Sequence, residues 1–375
     1  MRTETSYNLP DVRRWRNVSI VVGIVALLAC LAGLVSMPVQ FFRSYLLAFV
    51  FWTGLTVGCL GVLMMQYVTG GRWGKILQRP LEAASLTLPL LAVLFAPVLL
   101  GLPLLYIWAD PAAVAADPRL QAKHIYLNIP FFVARQLVYF AVLIIFAWLL
   151  TSWAAKWKTI EDPRYQWRLE HLSGAGMFVT AVILSLAMID WVMTLEPHWY
   201  STIYAAVFIA GEMLAGFAFS IAAVLLLSPR FAESIDPKRF RDLGNLLLTF
   251  VMLWAYCAFS QFLLIWSGNL REEITWYLPR TVGAWGIIAL ALVVFHFFVP
   301  FFLLLSRDLK ENRKALLLLV LFLLLMRFVD ICWLIKPAFA PSVVNWMDFA
   351  ATVGVGGLWL ALFLWIYERN DQRKY

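Results

Sequence analysis

The sequence predicts an all-α polytopic membrane protein with ten transmembrane helices. Three observations predict it. Apolar residue types make up 63% of the 375 residues and charged ones only 14%, whereas a soluble domain is nearer half apolar and a quarter charged. Ten apolar runs each reach the roughly 20 residues that a bilayer crossing needs. Most of the 30 Lys and Arg residues sit in the short segments between those runs.

The runs fall at 17–37, 43–68, 85–108, 128–154, 171–195, 202–228, 244–267, 281–305, 314–335 and 346–367. They are expected to be helices, because an unpaired backbone group in hydrocarbon is costly. With the N-terminus inside, the inner segments carry 22 basic residues. The outer ones carry six, namely Arg43, Arg119, Lys123, Arg271, Arg280 and Lys336. That asymmetry predicts that both termini are cytoplasmic. It also accounts for the net charge of +8 without nucleic acid. The polar start lacks the early apolar run of a signal peptide and is read as mature.

Trp73, Trp153, Trp157 and Trp167 fall near the inner boundary, and Trp108, Trp191, Trp199, Trp276 and Trp346 near the outer one, a layout expected of aromatic belts. Gly70–Ala84 is too short and too charged to cross; it is expected to lie on the cytoplasmic surface as an amphipathic turn and helix. The polar stretch 109–127 is the longest outer loop and a candidate docking surface. Cys30, Cys59, Cys257 and Cys332 lie in apolar runs without a CxxC or haem-attachment spacing, as packing residues do.

A weak repeat joins the two halves. Asp190 precedes Pro197, and Asp330 precedes Pro337, by seven residues each; Trp191 and Trp333 follow the two aspartates. Arg135 and Arg280 are a further candidate pair. Four spans separate the members, which predicts a parallel repeat. One four-helix bundle would be spans 2–5 (43–195) and the other spans 6–9 (202–335), with spans 1 and 10 peripheral, all in one integral membrane domain.

Away from the run ends, six Asp, Glu, Arg and His residues fall inside spans: Arg135, Asp190, Glu212, His296, Arg327 and Asp330. Such residues mark function by default, because each is costly in lipid. They descend through the membrane at graded depths, as a proton path requires, with Tyr256, Ser260 and Gln261 as candidate polar links. The plain structural alternative is that Arg327 and Asp330, three apart, neutralise one another, and that Asp190 is solvated near the outer face. Pro300 follows His296 by four residues and lacks an N–H, which predicts a kink at a bared carbonyl. Only one histidine lies deep in a span, so a bis-histidine haem is not expected. No catalytic residue and no cofactor is assigned to this chain.

Several strings carry a family resemblance: TGGRWG at Thr69–Gly74 with RPLEAASLTLPLL following, IDWVMTLEPHWYSTIY at Ile189–Tyr204, FSQFLLIWSGNLREEITWY at Phe259–Tyr277 and HFFVPFFLLLSRDLK at His296–Lys310. Together they resemble the smaller NrfD-like membrane subunit (ActF type) of bacterial alternative complex III, a quinol:cytochrome c oxidoreductase, over about residues 15–367. The resemblance implies an NrfD-like fold with two four-helix bundles. It implies as partners a larger NrfD-like membrane subunit, an iron–sulfur subunit and haem c subunits, with haem c and iron–sulfur clusters in those partners and quinol at or near the complex. The family often has a His before TGG, where this chain has Gln66 and Tyr67. The expected role is a cofactor-free membrane subunit that contributes a proton path and assembly. Two alternatives stay open: a secondary transporter binding solute near Glu212, and a subunit that itself oxidises quinol with Asp190 or Asp330 as proton acceptor.

Overall fold

The computed structural model describes residues 12–160, 162–339 and 344–372. Helix makes up 89% of it, and no strand occurs among the described residues. The helices long and apolar enough to cross a membrane are span 1 (Val12–Ser36), span 2 (Pro38–Thr69), span 3 (Trp73–Leu100), span 4 (Ile129–Ile160), span 5 (Pro163–Leu195), span 6 (Tyr204–Leu227), span 7 (Pro237–Gly268), span 8 (Gly283–Leu305), span 9 (Arg313–Phe339) and span 10 (Trp346–Arg369). The chain is an all-α polytopic membrane protein.

Local chemistry sets the helix starts. Asp-Pro pairs open spans 5 and 7: Asp162 accepts from the Arg164 N–H and Asp236 from the Lys238 N–H, while the prolines occupy first-turn positions that need no donor. Asn312 caps span 9 through the N–H groups of Lys314 and Ala315. Asn269, at φ 48°, ends span 7 in the left-handed region. Gly70 and Gly71, at φ 67° and 92°, turn the chain out of span 2 through backbone that L side chains resist.

Spans 2–5 close one ring of neighbours and spans 6–9 another. Spans 1 and 10 pair with each other and rest on span 2. Span 2 is the central helix, touching spans 3, 5, 6, 9 and 10. It meets span 6 through glycines. A Cβ on Gly54 would strike the Glu212 carboxylate, one on Gly58 the Glu212 carbonyl, and one on Gly216 the backbone at Gly58 and Cys59. Small residues let membrane helices approach this closely. All four cysteines are buried and free. The described chain ends share one face, where Arg13 and Arg16 pair with Glu368. This is called the terminal face below, and its counterpart the far face.

Three expectations change. The third run is not one continuous helix. It breaks into Leu88–Leu94, Ala96–Leu100 and Leu102–Leu105, each with a proline, Pro89, Pro97 or Pro103, in its first turn, because a proline lacks the N–H that would bond back into the preceding turn. The segment after the double glycine is helical (Arg72–Ser85) but does not lie over the surface. It is wedged against spans 2, 6 and 10. Its polar Gln78 and Glu82 are buried, with Gln78 donating to Glu82 and to Tyr67, and Lys158 reaching Glu82 from span 4.

The outer tryptophan belt is mostly turned inward. Trp108, Trp191, Trp199 and Trp276 are at most 4% exposed. Trp191 and Trp199 place their N–H groups on Gln136 and on the Glu273 carbonyl, so each ring finds its polar partner inside rather than in the headgroups. The loop 109–127 folds into two short helices, Pro111–Ala116 and Pro118–Lys123. It is tied to neighbouring loops by Lys123 to the Pro197 carbonyl, His198 to Asp117 and Arg119 to Glu272.

Candidate functional site

The six intramembrane residues form two separate groups. Arg135 and Asp190 belong to the first ring; Glu212, Arg327, Asp330 and His296 gather in the second. No hydrogen bond or ion pair joins the groups among the described residues.

In the first ring, Arg135 of span 4 meets Asp190 of span 5 as a two-pronged pair. Nε donates to Oδ2 and Nη2 to Oδ1, both at 2.9 Å. Gln136 and Tyr139 add donors at 3.1 Å each. The remaining Arg135 prong, Nη1, reaches the Tyr126 carbonyl at 2.9 Å. The Tyr126 ring lies 3.9 Å under the guanidinium carbon. Burial, then the Asp190 charge, pushes the Tyr126 hydroxyl up to about 12, with Arg135 opposing, so this loop phenol stays protonated. Asp190 is fully buried, which corrects the expectation that it is solvated near the membrane surface. Its charge is met one for one, and both its oxygens are used.

The second group is built differently. Span 9 places Arg327 and Asp330 one turn apart, and the two pair through Nη1 and Oδ2 at 2.5 Å. The local ion pair expected from their spacing is present. Arg327 also turns Nη2 to Glu212 Oε1 of span 6, at 2.9 Å. Two carboxylates therefore flank one guanidinium, and all three side chains are at most 3% exposed. Gly211 makes the approach feasible, since a Cβ there would strike the Arg327 guanidinium. With both carboxylates ionised the triad holds one net negative charge, and one added proton brings it to neutrality. Each carboxylate keeps one oxygen, Glu212 Oε2 and Asp330 Oδ1, outside any hydrogen bond among the described residues.

Trp254 of span 7 links the triad to His296. Its N–H donates to Asp330 Oδ2 at 3.0 Å, and its ring lies 4.0 Å, centroid to centroid, from the imidazole. His296 is fully buried, and neither ring nitrogen has a hydrogen-bond partner. The backbone there is a π-helical turn, Leu292–Phe298, lying just ahead of Pro300. A widened turn is one way a membrane helix accommodates a proline's missing donor, and such turns recur at functional sites. At about 1.5 Å per residue, Glu212 lies roughly 12 Å from the far-face end of span 6 and His296 roughly 14 Å from the terminal-face end of span 8. The group thus occupies the middle of the second ring.

The links expected on span 7 divide. Gln261 is buried with its carbonyl oxygen unpartnered, Ser260 is half-buried, and Tyr256 faces outward at 69% exposure, so Tyr256 is not a link. Trp254 bridges Asp330 and His296 by an N–H bond and a ring contact, but its indole only donates and relays no proton. Its position was not singled out in the sequence, although it sits seven residues before Gln261, two turns along the same face. Among the described residues no three His, Cys, Asp or Glu side chains gather as metal ligands do.

The repeat is visible in the geometry, with one departure. Trp191 donates to Gln136 at the start of span 4, and Trp333 to the Arg280 carbonyl just before span 8. Arg135 lies over Tyr126 at 3.9 Å and Arg280 over Trp276 at 3.8 Å, each also bonding that residue's carbonyl. Arg280, however, pairs with Glu196 at 2.7 Å and not with Asp330, which leaves Asp330 to Arg327. No family model and no curated protein matches the chain.

Proposed function

We propose that this chain is a cofactor-free membrane subunit of a quinol:electron-acceptor oxidoreductase of the cytochrome c type, in which it contributes a proton-carrying site and helps assemble the membrane module. The observation that carries the proton role is the triad: Glu212 and Asp330 share the one guanidinium of Arg327 in the membrane interior. Removing charge from water is costly, and an unbalanced cluster is costlier than a balanced one. A proton bound to either carboxylate relieves that imbalance, and its loss restores it. His296, without a partner and one ring away through Trp254, is the next group able to take the proton toward the terminal face.

The redox assignment rests on the four long motifs at Thr69–Gly74, Ile189–Tyr204, Phe259–Tyr277 and His296–Lys310. On this reading haem c and iron–sulfur clusters belong to partner subunits, beside a larger NrfD-like subunit, and quinol is oxidised at or near the complex. The excess of basic residues on the terminal face supports cytoplasmic termini, and the same motif resemblance supports a bacterial inner membrane.

Purification of the tagged chain from its native membrane in mild detergent tests the assignment. Haem c absorption with a co-purifying iron–sulfur protein is the expected result. A colourless, solitary protein contradicts it and favours a transporter. In the assembled complex, Glu212→Gln should lower the protons moved per electron; an unchanged ratio removes the triad from the proton path.

A further inference from the structure

Away from the triad, the terminal-face end of spans 4 and 5 carries an unclaimed basic pocket. A shallow surface cavity of about 410 Å³ is lined by Pro163, Arg164, Trp167 and Arg168. Neither arginine forms an ion pair or a side-chain hydrogen bond among the described residues, and both are exposed. Arg168 and one further cation, Lys156, lie near aromatic rings. Arg168 lies 5.8 Å from the Trp153 ring and 5.6 Å from the Tyr165 ring, and Lys156 lies 5.9 Å from Tyr165. Two positive charges thus line the pocket, and a third, Lys156, lies near Tyr165. Nearby, Asp162 is engaged with the Arg164 N–H and Glu170 with Gln166.

The pocket's depth follows from helix length. Span 5 has 33 residues, roughly 50 Å at 1.5 Å each, against a hydrocarbon core of about 30 Å. About 10 Å, or seven residues, overhangs at each end. Residues 163–169 therefore fall at headgroup level. From there one exposed stripe runs into the membrane at helical spacing: Arg164, Arg168, His171, Ala175, Phe178 and Val182. Gly174 borders it, and a Cβ built there meets nothing within 4 Å, so the position is open to the surroundings. The stripe is cationic at headgroup level, aromatic and amphipathic at the boundary, where Trp167 and His171 stack at 4.1 Å, and apolar below. That is the polarity profile of a phospholipid laid along the helix.

We propose that this pocket binds an anionic phospholipid, its phosphate held by Arg164 and Arg168 and an acyl chain lying along Gly174, Phe178 and Val182. Guanidinium forks suit phosphate oxygens. Among the described residues no carboxylate pairs with either arginine, and two guanidinium groups repel the amine of a zwitterionic headgroup. The inference is independent of the redox assignment.

Native mass spectrometry of the full detergent-purified chain tests it, with phosphatidylglycerol and phosphatidylcholine as probes. Wild type should retain one phosphatidylglycerol in clear preference to phosphatidylcholine. R164Q/R168Q should lose that preference by about thirtyfold, as two juxtamembrane cations imply. R307Q/K314Q, which removes equal charge elsewhere on the terminal face, should keep it. Equal retention of the two lipids by wild type overturns the proposal, and that comparison stands even if the double variant misfolds. Equal loss in both double variants also overturns it, because diffuse surface charge then explains the binding. Displacement of the lipid by equimolar inorganic phosphate overturns it in favour of a soluble phosphate ligand.

Discussion

Two buried ion clusters sit in two similar rings of helices, and they solve the same problem differently. Around Asp190 one carboxylate meets one guanidinium through two parallel bonds, with Gln136 and Tyr139 completing the shell. Around Arg327 one guanidinium serves two carboxylates, and the nearby imidazole has no partner at all. The first arrangement is balanced and saturated, as a structural clamp requires. The second is unbalanced by one charge and has free acceptor positions, as a site that gains and loses a proton requires. Similar helices and a shared Asp–Pro spacing therefore do not imply a shared role. The charge count and the hydrogen-bond satisfaction decide it.

The sharpest way to break the contrast is to remove a carboxylate from each cluster. Asp190→Ala strands Arg135, buried in the protein, without its counter-charge, and should cost about 3–5 kcal/mol of stability, read as an early, broadened thermal transition in detergent. Arg135→Gln should do comparable damage. The double variant Arg135→Gln/Asp190→Asn should recover part of the loss, since the two residues act as one unit.

The glycine seam comes next in size. Gly58→Ala drives a Cβ into the Glu212 carbonyl and Gly54→Ala drives one into its carboxylate. Each should cost about 1–3 kcal/mol by overpacking. Gly54→Ala should also disturb the triad's proton behaviour, whereas Gly58→Ala should act on stability alone.

Glu212→Gln should cost less than Asp190→Ala in the same melting experiment, because Arg327 keeps Asp330 and the triad becomes neutral without a proton. A loss equal to that of Asp190→Ala would mean that Glu212 is a clamp like Asp190, and the contrast would fail. His296→Phe should have the smallest effect on stability, below about 1.5 kcal/mol as a near-isosteric swap. The ring stays against Trp254 and no hydrogen bond is lost. Proton-coupled turnover in the assembled complex should nonetheless fall.

Much of the fold was legible because the bilayer imposes a strong and simple rule. Long apolar runs must be helices, and Asp-Pro pairs and double glycines punctuate them. The breaks at Pro89, Pro97 and Pro103 were also written in the chain, but a hydropathy pattern averages over them. The candidate site was legible as a set of residues and not as an arrangement. Glu212, Arg327, Asp330 and His296 stand out because charge in a span is rare. What joins them is Trp254, an ordinary residue type in a protein with 18 tryptophans, and only its place across from Asp330 gives it meaning. The solvated Asp190 expected from its position near a helix end was overturned by Arg135, which reaches it from another span. Partnerships between spans depend on rotation about the helix axes, which sequence spacing does not specify. The seam of Gly54 and Gly58 against Glu212 is a case of the same kind.

The central claim is that the Glu212–Arg327–Asp330 triad carries an exchangeable proton while the Arg135–Asp190 pair does not. Infrared difference spectroscopy of the purified chain, titrated in H₂O and in D₂O, tests this directly. The account predicts a protonated-carboxyl C=O band that appears on acidification, shifts in D₂O, is lost in Glu212→Gln, and persists in the Arg135→Gln/Asp190→Asn double variant. A band that survives Glu212→Gln unchanged but vanishes in that double variant would contradict it.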